Sequence, residues 1–96
     1  MEQRKMSSGQ EVPLTWLREG EAGIVSSIRG GYGRGYGARW GAEKRLMDMG
    51  LTPGTEVLVV KAAPFRGPLE ILVRGTRLAL GRGLAEKVFV VKKRDV

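Results

Sequence analysis

The chain predicts a mostly β fold: a small five-stranded barrel, with one short helix between strands one and two and short helical turns near the amino terminus and before the last strand. Three observations lead there. Five short apolar runs rich in Val, Ile and Leu are separated by closely spaced Gly and Pro turn signals. A single stretch, after residue 41, repeats its apolar residues at helical spacing. The 96 residues allow one modest core, and a small sheet that closes on itself removes most of its exposed edges.

Residues 1–12 are polar and aperiodic and read as a disordered tail, leaving 13–96 as the one domain. Pro13 suits the first turn of a helix, so Pro13-Leu14-Thr15-Trp16-Leu17 predicts a short helical turn whose Leu14, Trp16 and Leu17 plug a barrel end. Gly20-Glu21 turns the chain into a first strand over Gly23 to Ile28. Residues 29–41 then change character. Six of the thirteen are glycine, interleaved with Tyr32, Tyr36, Trp40 and the arginines 29, 34 and 39, which reads as a mobile loop.

From Ala42 a helix is expected, with Ala42, Leu46 and Met49 on one stripe, Met47 beside it, and Glu43, Lys44 and Asp48 outside. Gly50 supplies a left-handed stop, and Pro53-Gly54 sets a tight turn of type II. Three strands follow as an antiparallel meander: Glu56 to Ala62, Leu69 to Arg74 and Arg77 to Leu80, joined through Pro64-Phe65-Arg66-Gly67-Pro68 and Gly75-Thr76. A helical turn over Arg82 to Lys87 precedes the fifth strand, Val88 to Val91.

Composition narrows the chemistry. Neither cysteine nor histidine occurs, which removes thiol nucleophiles, disulfides, thiolate metal sites and the commonest general base. No nucleophile–base pair can be nominated, so no catalytic residue and no enzyme activity is expected. Carboxylates capable of holding a divalent ion fall on separate elements, and Met47 and Met49 read as filler of a core or interface, so no metal ligand and no cofactor is expected. No apolar run reaches the length of a signal peptide or a membrane span, which predicts a cytoplasmic protein without direct membrane insertion. The net charge is +7, and residues 29–45 hold five cations against one carboxylate. Such clustering favours an acidic partner surface, nucleic acid or anionic lipid.

Taken in order, these landmarks resemble the ferrous-iron transport protein A (FeoA) family. The resemblance rests on Pro13-Leu14 with Leu17, the Gly20-Glu21-x-Gly23 turn, and Arg45-Leu46-Met47-Asp48-Met49-Gly50-Leu51-Thr52-Pro53-Gly54. It continues through Ala63-Pro64, Gly67-Pro68-Leu69-Glu70-Ile71, Arg74-Gly75, Leu78-Ala79-Leu80 and Ala85. It covers residues 13–91 and implies an SH3-like barrel, a fold also similar to the carboxy-terminal domain of metal-dependent repressors. By resemblance the function is that of an accessory, regulatory binding module in ferrous-iron uptake. The implied partner is the cytosolic part of a membrane ferrous-iron transporter with a GTPase domain.

Within the decapeptide, Arg45, Leu46, Met49, Gly50, Leu51, Pro53 and Gly54 read as a folding device that ends a helix and reverses the chain into a strand. The connection over residues 29–41 looks like an insertion relative to the family. Its Arg29, Tyr32, Arg34, Tyr36, Arg39 and Trp40, with Met47 on the following helix, are the candidate partner-binding residues. The alternation of Gly, Arg and aromatic residues also resembles arginine-glycine-rich RNA-binding segments, so single-stranded RNA is the alternative ligand.

Overall fold

In a computed structural model the chain is described over residues 10–29 and 36–93, with backbone alone at 36–40 and 42. Alternation of apolar residues builds the strands. In β3 (Glu56–Ala62) Val57 and Val59 are buried while Glu56 and Lys61 face solvent. In β4 (Leu69–Val73) Leu69, Ile71 and Val73 are buried, and in β6 (Val88–Lys92) Val88 and Val90. Each such side chain contributes about 1.5–3 kcal/mol by leaving water. The remaining elements are β1 (Glu11–Pro13), a 3₁₀ turn (Leu14–Trp16), β2 (Ala22–Ile28), α1 (Tyr36–Asp48), β5 (Thr76–Leu80) and α2 (Arg82–Ala85).

Six strands form one antiparallel sheet in the order β1-β6-β2-β3-β4-β5. The expected five-stranded closed barrel is therefore corrected on two counts. An additional strand is present, because Glu11 and Val12, assigned from sequence to the tail, pair with Val91 and Val90. No ladder among the described residues joins β1 to β5, so the sheet is open. The physical reason lies in how the apolar face is covered. Leu14 and Leu17 around the 3₁₀ turn, Leu46 on α1, Leu51 after it and Ala85 on α2 complete the core with the strand residues. Helical segments close over the sheet where another ladder would otherwise do so. Register shifts between Val25 and Ser27 and between Val59 and Lys61 bend the sheet around that core.

Two further expectations change. Helix α1 begins at Tyr36, inside the stretch read as a loop, and residues 30–35 lie outside the described part. Trp16 does not plug the core: it is 69% exposed, while Leu14 and Leu17 are buried. A 3₁₀ turn has three residues per turn, so residues 14 and 17 share a face that residue 16 leaves.

Candidate functional site

The Leu46–Gly54 stretch terminates α1 by a Schellman arrangement. Gly50 stands at φ +101°, its N–H donates to the Met47 carbonyl at 2.9 Å, and the Leu51 N–H donates to the Leu46 carbonyl at 3.0 Å. Leu46 and Leu51 are both fully buried, the apolar contact that accompanies this cap. Met49 is half-buried against the same core, Met47 and Arg45 are exposed, and Lys44 and Asp48 form an exposed pair at 3.6 Å. Thr52-Pro53-Gly54-Thr55 then turns the chain, with Gly54 at φ +92° and the Thr55 N–H donating to the Thr52 carbonyl at 3.0 Å. Reciprocal bonds of 2.8 Å tie this turn to β2, from the Gly54 N–H to the Val25 carbonyl and from the Val25 N–H to that of Thr55. The buried Thr55 hydroxyl is met by Thr52 at 3.0 Å and by the Arg74 guanidinium at 3.3 Å.

Arg29 is engaged within the molecule. Its guanidinium pairs with Glu11 and lies 3.9 Å from the centroid of the Phe89 ring, and its N–H donates to the Lys87 carbonyl at 2.8 Å. It thus ties β1 to β6 at the end of β2. Tyr36, Arg39 and Trp40 are placed by backbone on the first turns of α1; their side chains, and Tyr32 and Arg34 altogether, lie outside the described residues.

A second surface, not singled out from sequence, lies on the β3–β4 hairpin. In Pro64-Phe65-Arg66-Gly67 both central residues have positive φ, +57° and +60°, and the Gly67 N–H donates to the Pro64 carbonyl at 3.1 Å. This backbone sign pattern is that of a type I′ turn, which ordinarily selects Asn-Gly. Two L-residues in left-handed backbone cost roughly 1–2 kcal/mol each. Phe65 recovers none of this by burial, being 96% exposed. Arg66 reaches Glu86 at 3.9 Å, next to α2. Beside the turn a groove of about 380 Å³ opens on the outer face of the sheet, lined by Ala63, Pro64, Pro68, Leu69 and Ala79 with Lys61, Glu70 and Arg77. Lys61, Glu70 and Ala79 stand in register across β3, β4 and β5, and Arg77 pairs with Glu70 at 3.1 Å.

The signal in the sequence was the Phe65-Arg66 pair itself, at turn positions that Gly, Asn and Asp normally fill. Chemically the groove offers an apolar floor with two cations and one carboxylate, and a projecting aromatic ring. Among the described residues no cluster of three or more carboxylate, imidazole or thiol side chains is placed to hold a metal ion, and no helix is long and apolar enough to cross a membrane.

A family model described as the FeoA domain matches residues 12–92. The chain belongs to the FeoA family. It is 37% identical over 78 residues to a protein of Methanocaldococcus jannaschii named for Fe(2+) transport protein A, spanning 81% of this chain and 83% of that one. It is 39% identical to a crystal structure of an iron uptake regulatory protein, FeoA, with a TM-score of 0.71 over 88% of this chain and 99% of the other. A manganese-dependent transcriptional repressor shares the fold, with a TM-score of 0.71 at 19% identity, over 86% of this chain and 42% of the repressor. As an FeoA domain the molecule has the SH3-like fold of these relatives, and among its described residues the sheet is open at β1 and β5.

Proposed function

We propose that this FeoA-family chain is a non-enzymatic accessory module of ferrous-iron uptake that docks on the cytosolic part of a membrane ferrous-iron transporter bearing a GTPase domain, and modulates it. Family membership and the names of its relatives support the process. The observation that carries the docking reading is the Phe65-Arg66 tip. A chain that spends backbone strain to hold an aromatic ring and a guanidinium in solvent, beside an apolar groove, presents an interface anchor. The absence of histidine and cysteine fits a binding role.

The test is a binding titration of the full chain against the purified cytosolic domain of the transporter, with wild type and Phe65→Ala/Arg66→Ala. The double variant should bind about 10- to 30-fold more weakly, the loss of one good anchor. Its melting temperature should not fall. Binding by wild type should weaken as salt rises, because exposed ion pairs are screened beyond about 8–10 Å at physiological ionic strength. No association at any salt would remove the reading.

A further inference from the structure

Among the described residues strand β5 is an edge, and an unusually regular one. The five-residue ladder between β4 and β5 runs from Leu69 opposite Leu80 to Val73 opposite Thr76 without a register shift, whereas the β2–β6 and β3–β4 ladders are both interrupted. Proteins usually blunt such an edge with proline, a bulge or several charges. Among residues 76–80 only Arg77 is charged, and none is proline. The opposite edge, β1, has three residues and ends at Pro13.

The register also decides which backbone groups are free. Val73 and Thr76 flank the two-residue turn Arg74-Gly75, whose φ values are +51° and +80°, so they form the bonded pair next to the turn. Antiparallel pairs alternate between bonded and non-bonded, so Ile71 with Leu78 and Leu69 with Leu80 are bonded as well. Arg77 and Ala79 therefore direct their N–H and C=O groups away from β4. These same two residues line the groove. A strand laid along β5 would find backbone partners at Arg77 and Ala79 and a place for one small apolar side chain over Ala79, Pro64 and Pro68.

We propose that β5 receives an extended segment of the partner protein as an added antiparallel strand, its apolar side chain in the groove and a carboxylate facing Arg77. The proposal rests on the transporter-docking reading and names the surface that performs it. Charge selects the occupant. Lys61 is exposed, Arg77 is shared with Glu70, and the whole chain carries +7, so an acidic segment is attracted. A second copy is disfavoured in the register that engages both outward-facing residues of each edge. Two β5 edges paired about a two-fold, with Arg77 opposite Ala79, bring both Arg77 side chains onto one face as diagonal neighbours about 7–8 Å apart.

Hydrogen exchange on the full chain, with and without the transporter's cytosolic domain, tests this directly. The amides of Arg77 and Ala79 should exchange at least about tenfold more slowly in the complex, and that of Leu78, already bonded to β4, should change less. Ala79→Pro removes an outward N–H while sparing the β4 ladder, and should weaken binding about tenfold or more. Ala79→Gly keeps the N–H and should bind within a few-fold of wild type. If Ala79→Pro does not fold, protection in the wild-type complex still decides. Wild-type binding without protection at 77 and 79 overturns the strand addition and leaves the docking reading intact. Absence of wild-type binding overturns both. Concentration-dependent self-association that protects these amides without the transporter domain also overturns it, in favour of a second copy.

Discussion

Phe65 and Arg66 hold left-handed backbone that glycine or asparagine would adopt at lower cost, and the same turn geometry at Arg74-Gly75 does use a glycine. The β4–β5 turn is therefore a comparison for the one between β3 and β4. Replacing Phe65-Arg66 by Asn-Gly should stabilise the domain by about 1–2 kcal/mol. For a domain of this size that is roughly 4–8 °C in melting temperature per kcal/mol, read by thermal unfolding. The same variant should bind the transporter domain more weakly, so stability and binding move in opposite directions. No gain in stability would show that the turn is not strained. Gly50 differs in kind: its φ of +101° belongs to the Schellman cap that ends α1, so glycine there serves the cap.

At the scale of elements, β1 is the least secured strand, with three residues paired, among the described residues, only to β6. Arg29 compensates through its pair with Glu11 and its stacking on Phe89. Arg29→Ala should cost about 0.5–1.5 kcal/mol, the sum expected of an exposed ion pair and a cation–π contact. Amide exchange should rise selectively at residues 11–13 and not at β3–β5; uniform loosening would contradict a local clamp. Arg29 could not be told from Arg34 or Arg39 in the sequence, since its partners lie 18 and 60 residues away. The decapeptide was legible because its Schellman cap and its turn involve contacts within a few residues.

Across the whole molecule, charge sets a pH dependence. The Glu21 carboxyl lies below its ordinary value of 4.5, first because Lys92 donates to it, at 2.7 Å, and second because the Arg18 N–H donates at 2.8 Å; partial burial opposes both. Ionised Glu21 thus joins the entry of β2 to the end of β6. Its stabilisation is complete above about pH 4.5, where the unfolded chain is also ionised, and fades as pH falls through the lower folded value. The difference in stability between wild type and Glu21→Gln should therefore be present at pH 7 and shrink in acid, as measured by denaturant unfolding over that range. A difference independent of pH would assign the effect to packing.

What the sequence determined by itself were the elements and their punctuation: the strand Glu56–Ala62, the stop at Gly50, the turns at Pro53-Gly54 and Gly75, and the family. Propensity, alternation and turn chemistry act over a few residues and are written in order along the chain. Only the tertiary structure decided that Glu11–Pro13 is a strand, that the sheet stays open, that Arg29 serves as an internal tie, and that Phe65 stands in solvent beside a groove. Each of these depends on pairing between distant segments, as between Glu11 and Val91, and on which face the helical pieces already cover.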